Sequence, residues 1–430
     1  MNAVGGSPTL VRQIGVGGLS LTVVNLIVGV GIFGLPGLLA AQLGPAAVLA
    51  YLACGVLAVL IALCLAEAVS RVPEAGGVMA ASGAAFGPVG ASVVGNLLWF
   101  ANGALASAAI AALLLNTLAA FMPSLAGGLT RVGFLALLYL ALAWTNVAGV
   151  RQSLGATIVV SVLKFTPLVL LVLVGLPQVE VANLRFETLP SAGELSAGVI
   201  ILFFAFQGGE AALCTSGEAV RPERTIPLGL GLGMLLVGLL YLGLQTVGQG
   251  VLGDGLAQAG DAPLVAIGQA LFGPAGAQLI LFATVMSVLG ILMVDTLSMP
   301  RALYGLGERG LLPRALSRVH PAWRTPHVAI ISYATVGFLL AASGTFRQLV
   351  LFSAGGTLAM HLVTAAAVLK LRRDPAMVAR PGFRIPGGAL VPVLTLIVIA
   401  GLLWTLTLPE IGALALLCVL AALPALRRGS

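Results

Sequence analysis

The chain has 430 residues, of which 59% are hydrophobic and only 8% are charged, and its mean hydropathy is +1.11. A water-soluble protein of this length needs far more polar surface to cover its core, so the composition excludes that class and predicts an all-α membrane protein. The net charge is +7, but the basic residues are too scattered to form a nucleic-acid surface.

Twelve apolar segments are long enough to cross a bilayer, which takes about 20 residues. Residues 1–15 form a short tail before them, and the first segment, which follows Arg12, is too long for a signal peptide. In chain order the predicted spans are 16–40, 46–69, 90–120, 132–149, 154–176, 195–216, 227–251, 274–300, 327–343, 346–369, 387–408 and 410–426. The loop at 252–272 reads as a short amphipathic helix on the outer face.

The basic residues orient these spans. If the N-terminus is cytoplasmic, only Arg131, Arg185 and Arg347 fall in outer segments, and all other Lys and Arg fall in inner ones except Lys164, which lies within a span. This asymmetry is the positive-inside pattern. It predicts a multi-pass protein of the cell membrane with both termini in the cytoplasm, and the Ala-, Gly- and Arg-rich composition favours a bacterial inner membrane.

Two spans carry glycine interruptions in corresponding places. Span 1 contains Gly29-Val30-Gly31, and span 6 contains Gln207-Gly208-Gly209. Each interruption lies in the first helix of its half if residues 16–176 and 194–371 are inverted repeats and 386–427 are two added spans. Such broken helices are typical of secondary transporters.

A helix broken inside the bilayer frees peptide groups that lipid cannot satisfy, so these groups must face a cavity or a ligand. The free N–H groups at the start of a half-helix favour an anion, and the free carbonyls at the end of one accept from an ammonium group. A zwitterionic amino acid offers both charges. The alternative is that the glycines only allow close helix packing.

Six motifs occur in family order along the chain. Residues 29–33 resemble a G-[ST]-G-I-F signature with Val30 in place of the hydroxyl residue, and further similarity lies in 66–78, 203–210, 218–227, 301–313 and 380–388. Together they resemble the amino acid–polyamine–organocation (APC) transporter superfamily over most of the chain. The resemblance implies alternating access and the LeuT-type 5+5 inverted repeat with broken helices 1 and 6.

The resemblance also implies a substrate site. The backbone N–H groups of residues 29–31 would bind the carboxylate, Phe204 would close over the substrate, and the Ala205 and Gly208 carbonyls would meet the ammonium group. Span 3 and span 8 would contribute further lining residues. The implied substrate-binding set is Gly29, Val30, Gly31, Asn102, Phe204, Ala205, Gly208 and Met293.

Ionisable residues within the spans are candidates for coupling and gating. Lys164 resembles the lysine of sodium-independent members, whose amine stands where sodium lies in relatives. Asp295 is open to three roles, namely pairing with Lys164, lining a wet vestibule or contacting substrate. Glu210 reads equally as a helix cap or as a proton relay. Interhelical hydrogen bonding is favoured for Asn102, and a satisfied core position for His361.

The function predicted from these features is sodium-independent transport of small or aliphatic neutral amino acids, by exchange or linked to protons. The alternative is a cationic amino acid or polyamine carrier that uses Glu210 or Asp295 for a second ammonium. The four cysteines lack paired spacing, so neither a metal site nor a disulfide framework is expected. We expect no cofactor and no enzymatic activity; the partners are the substrate, lipid and, for symport, protons.

Overall fold

A computed structural model describes residues 14–29, 31–72, 77–119, 122–148, 154–186, 188–213, 219–260 and 262–429, with side chains described except at 154–160 and 427–429. Val30, Arg12 and the motif residues 73–76 and 218 lie outside these ranges. Within them the chain is helical, and the only extended pairing is an isolated bridge between Ile14 and Ala219. The segment before the first helix is thereby joined to the loop after the sixth predicted span.

Seventeen α-helices follow one another along the described chain. Short 3₁₀ turns connect several of them, and a π-helical stretch, Leu98–Leu105, joins α4 to α5. The α-helices are α1 Val16–Ile27, α2 Gly31–Leu43, α3 Ala47–Arg71, α4 Val78–Leu97, α5 Ala106–Ala119, α6 Gly128–Val147, α7 Leu154–Gly175, α8 Ala192–Phe206, α9 Gly209–Ala212, α10 Pro222–Leu252, α11 Gly255–Gln258, α12 Pro263–Glu308, α13 His327–Ser343, α14 Phe346–Leu371, α15 Pro375–Val378, α16 Leu390–Trp404 and α17 Leu408–Gly429.

Nine helical segments of the described chain are long and apolar enough to cross a membrane. Two of them, Gly31–Arg71 and Val78–Ala119, join consecutive helices and run for 41 and 42 residues. Three shorter apolar helices, α1, α13 and α16, complete the apolar set. Each predicted span overlaps one of these helices, and the architecture is an all-helical bundle.

The same kinked motif occurs in α4 and in α12. Both Gly87 and Gly273 adopt φ 67° and ψ −156°, each after a phenylalanine and before a proline, in Phe-Gly-Pro-x-Gly-Ala sequences. Positive φ favours glycine, and proline has no N–H to continue the helical ladder. Helical segments that begin at Val78 and at Pro263 therefore precede the predicted spans 90–120 and 274–300, and a non-helical glycine separates each segment from its span. The predicted surface helix at 252–272 is divided between α11 and the first arm of α12.

Small residues let the helices approach closely around the centre of the bundle. A Cβ at Gly233 of α10 would lie 2.6 Å from a methyl carbon of Val23 in α1, and one at Gly356 of α14 would lie 2.4 Å from the Cβ of Ala101. Lipid provides no hydrophobic drive between helices, so such close van der Waals packing stabilises the bundle. The broken helices are held inside this packed shell.

A buried carboxylate fastens the end of α3 to the end of α14. Glu67 has no exposed surface and accepts from Arg372 through both oxygens, at 2.7 and 2.6 Å. It also accepts from the Ile385 N–H at 2.8 Å. The bidentate geometry satisfies the charge, so Glu67 has a structural role.

Candidate functional site

The first helix break lies between α1 and α2. Val28 leaves the helical region at φ −69°, ψ 77°, and the Gly29 N–H donates to the Ile27 carbonyl at 2.6 Å, only two residues back. Gly29 is therefore not a free donor here. The N–H groups in the first turn of α2, beginning at Gly31, have no partner within their own helix, so they provide the donors of this break.

The second break lies between α8 and α9. Gln207 is extended at φ −71°, ψ 155°, and Gly208 takes the left-handed value φ 117° before the four-residue α9 begins. The Gly208 N–H donates to Oε1 of Glu210 at 3.3 Å. Glu210 thus acts as a local cap of the break, which is one of its two predicted roles.

The two breaks touch each other through backbone. A Cβ at Gly31 would lie 2.8 Å from the Cβ of Ala205, and a Cβ at Gly208 would lie 2.8 Å from the Leu26 carbonyl oxygen. Only glycine allows main chains to come this close. The glycines are therefore required for contact between the breaks as well as for the local change of direction.

A tyrosine of α10 joins the ends of the two broken helices. The Tyr241 hydroxyl is 3.0 Å from the Ile27 carbonyl oxygen and 3.1 Å from that of Ala205, and the residue is fully buried. Its ring packs edge-on against Phe206 with centroids 5.3 Å apart. One hydroxyl proton serves both carbonyls, which are the last of α1 and the next to last of α8.

Replacing Tyr241 with phenylalanine should lower the stability of the protein by about 1 kcal/mol, because the two buried carbonyls lose their shared donor while the ring packing stays. The measurement is the thermal midpoint in detergent, followed by tryptophan fluorescence. Tyr304→Phe is the matched control, since Tyr304 bonds only within an exposed turn to Glu308. Equal midpoints for the two variants would contradict the role of Tyr241.

A cavity of about 520 Å³ opens between the breaks, within the range of about 300–1,000 Å³ that is typical of small-molecule sites. Residues of α1, α2, α7, α8 and α12 line it, together with the region from Asn102 to Ile110. Most of its lining is apolar. Lys164 and Asp295 bring one ammonium and one carboxylate to its wall.

Lys164 bonds to the end of α1. Its ammonium is 2.9 Å from the Asn25 carbonyl oxygen and 2.7 Å from the Asn25 side-chain oxygen, and the residue is 2% exposed. A cation is favoured at the C-terminus of a helix, where carbonyls lack partners. The amine therefore satisfies the last turn of α1 just before the break.

Asp295 has a different partner. Its carboxylate accepts from the hydroxyl of Tyr333 in α13, and across the described residues no ion pair joins it to Lys164. Asp295 lines the cavity, as the vestibule and substrate-contact interpretations both require. Pairing with Lys164, one of the three roles left open for Asp295, is absent in this structure because each group is satisfied by its own neighbour.

A buried polar cluster lies on the other side of the second break. Asn102 Nδ2 donates to Gln207 Oε1 at 3.3 Å and to Glu210 Oε1 at 2.5 Å. His361 places Nε2 3.9 Å from Glu210 Oε2, while its Nδ1 has no partner within the described chain. His361 is therefore not the fully satisfied core histidine that was predicted. Ser353 and Thr357 of α14 complete the cluster at 3.2 Å from Gln207 Oε1.

Comparison with known sequences identifies the protein family. The sequence profile described as "Amino acid permease" matches residues 14–424. The chain belongs to the amino acid permease family. The match confirms the resemblance to the APC superfamily and makes the protein a membrane transporter, not an enzyme.

Three relatives are similar to the permease over most of this chain. The branched-chain amino acid permease BcaP of Bacillus subtilis is 25% identical over 412 residues, covering 92% of this chain and 88% of its own. Cationic amino acid transporter 9, chloroplastic, of Arabidopsis thaliana is 31% identical over 382 residues, covering 85% and 67%. The serine/threonine exchanger SteT of Bacillus subtilis is 26% identical over 403 residues, covering 91% and 90%.

The permease brings nearly all of the predicted site residues to one place. Glu210 lies in the polar cluster behind the break, and Val30 lies outside the described residues. The predicted residues that line the cavity are Gly29, Gly31, Asn102, Lys164, Phe204, Ala205, Gly208, Met293 and Asp295.

Four further residues of the site were missed from the sequence: Asn25, Gln207, Tyr241 and Tyr333. Asn25 and Gln207 carried a usable signal, since each is an amide in an otherwise apolar stretch next to a glycine interruption. Tyr241 and Tyr333 carried none, because their partners lie on distant helices.

Proposed function

We propose that this permease is a secondary transporter of neutral amino acids that works by alternating access, independently of sodium, by exchange or coupled to protons. The observation that carries the proposal is the cavity between two touching helix breaks. Residues of both breaks, Gly29 and Gly31 at the first and Ala205 and Gly208 at the second, line one cavity, and the peptide groups of two broken helices suit the two charges of a zwitterion. The mostly apolar lining favours an uncharged side chain.

Sodium independence rests on the position of the Lys164 ammonium. A monovalent cation needs oxygen ligands, and the carbonyl and side-chain oxygens of Asn25 are already bonded to Lys164. The amine provides the positive charge that the end of α1 favours. Uptake therefore needs no sodium ion to complete this part of the fold.

We propose twelve membrane spans arranged as two inverted repeats, 16–176 and 194–371, followed by 386–427. The broken first helix of each half supports this arrangement, and so does the Phe-Gly-Pro kink at Gly87 and Gly273, which lies just before the third predicted span of each half. Both termini are assigned to the cytoplasm of a bacterial cell membrane from the distribution of Lys and Arg.

The second candidate is transport of cationic amino acids or polyamines. Asp295 favours it, because its carboxylate lines the cavity and could accept a second ammonium. A relative named as a cationic amino acid transporter is the most identical of the three compared, whereas the names of the other two describe neutral substrates.

Uptake by purified permease in sealed liposomes tests the proposal. We expect labelled alanine, leucine and threonine to enter at rates above those of protein-free liposomes. Unlabelled neutral amino acids should compete with this uptake, and arginine and putrescine should not. Trans-loaded substrate separates exchange from proton coupling, since only exchange requires it. Competition by the cations alone would select the second candidate.

A further inference from the structure

The side-chain amide of Gln207 has one satisfied end and one unsatisfied end. Its oxygen lies within hydrogen-bond distance of Asn102 at 3.3 Å and of Ser353 and Thr357 at 3.2 Å each. Its nitrogen has no hydrogen-bond partner among the described residues, although the side chain lies at the cavity wall and the residue is only 8% exposed. Because Gln207 also lines the cavity, the two unpaired hydrogens of its buried nitrogen point to a ligand atom.

The orientation of this amide follows from Glu210. Glu210 Oε1 accepts from the Gly208 N–H, and Asn102 turns its NH₂ group toward the same oxygen. The same NH₂ group faces Gln207, which must therefore present its oxygen. The Gln207 nitrogen is left directed away from the polar cluster. A reversed amide would set two NH₂ groups against each other, so the network holds one orientation.

We propose that Gln207 forms a hydrogen-bonding subsite for the side chain of the substrate, and that the permease prefers amino acids carrying a hydroxyl or carbonyl oxygen near Cβ. The inference rests on the proposed function and refines its substrate class. Filling the site with an apolar side chain leaves the Gln207 donor buried and unpaired, whereas a side-chain oxygen satisfies it. Sites built to bond a substrate oxygen discriminate strongly against analogues that lack it.

The subsite is assigned to the side chain rather than to the α-carboxylate because the two donors belong to different breaks. The carboxylate is assigned to the first-turn N–H groups of α2, which have no partner within their own helix. Gln207 belongs to the second break, where Asn102 and α14, through Ser353 and Thr357, hold its oxygen. We assign its nitrogen to the substrate side chain.

Threonine and valine test this subsite because they have nearly the same shape and differ by one hydroxyl. The measurement is the ratio of their transport efficiencies, kcat/KM, in competition in one liposome preparation. We expect the wild-type permease to favour threonine by about tenfold or more. In Gln207→Met, which keeps the length of the side chain without its donor, the ratio should fall to about one. Asparagine against leucine provides a second pair of similar shape.

Gln245→Met is the matched control. Gln245 is a buried glutamine of α10 whose amide atoms also lack partners in the described structure, but it does not line the cavity. Its variant should keep the wild-type ratio. An unchanged threonine-to-valine ratio in Gln207→Met would overturn the subsite. If both efficiencies fell equally, the ratio would also be unchanged, and the amide would then be placed at the carboxylate.

The wild-type measurement decides the inference even if a Gln207 variant does not fold. Amino acid uptake with a threonine-to-valine ratio near one would refute the subsite and leave the proposed function standing. A permease that moves no neutral amino acid at all would refute both.

Discussion

Lys164→Met should reduce amino acid uptake by about 100-fold or more, the largest effect we expect on transport. Methionine has nearly the length of lysine but no charge, so both oxygens of Asn25 lose their donor inside the bundle. Each buried acceptor left unpaired costs about 1–3 kcal/mol, and about 2.7 kcal/mol corresponds to 100-fold. The end of α1 is then no longer held next to the break, so the site is not assembled.

Initial rates of uptake into liposomes check this expectation, with purified protein of verified folding. The wild-type rate should be the same in sodium and in choline buffers, because no site for sodium is needed. Lys370→Met is the control, since Lys370 lies over the Phe86 ring near the end of α14, away from the cavity. Normal uptake by Lys164→Met, or wild-type uptake that depends on sodium, would refute the proposed role.

The helical bundle and its two helix interruptions could be predicted because their signals are local. Glycine pairs within apolar runs predicted both interruptions, and the structure has breaks after Ile27 and after Phe206. The low charge predicted a helical membrane bundle, and the described chain is one. Lys164 stood out because a lysine in mid-span must find a partner, but its partner, Asn25, was not identified.

The features that could not be predicted depend on which helices are in contact. Hydropathy placed the starts of two spans just after Gly87 and Gly273, where the backbone is non-helical, but it did not predict the helical segment that precedes Gly87. The assignment of Asp295 could not be made from spacing along α12, since the competing partner Tyr333 lies on α13. The orientation of the Gln207 amide depends on residues of three other helical segments, so it could not be predicted from the sequence.

Gly208→Ala should destabilise the permease by about 3 kcal/mol or more and abolish uptake. Two effects add. At φ 117° an L-residue costs about 1–3 kcal/mol, and the new methyl would lie 2.8 Å from the Leu26 carbonyl oxygen, which belongs to rigid backbone. To relieve the contact, α8 must move away from α1, and the two breaks then no longer enclose one cavity.

The thermal midpoint in detergent and liposome uptake should both fall in this variant, and the matched control separates the break from glycine removal in general. Gly238 lies within α10, where an added Cβ meets no atom within 4 Å, so Gly238→Ala should keep activity and gain about 0.5–1 kcal/mol of stability. Native stability and uptake in Gly208→Ala would mean that the breaks need not touch for a substrate to be held between them. A stable but inactive Gly208→Ala protein would mean that the contact serves transport alone, because the bundle would then tolerate its loss while the site does not.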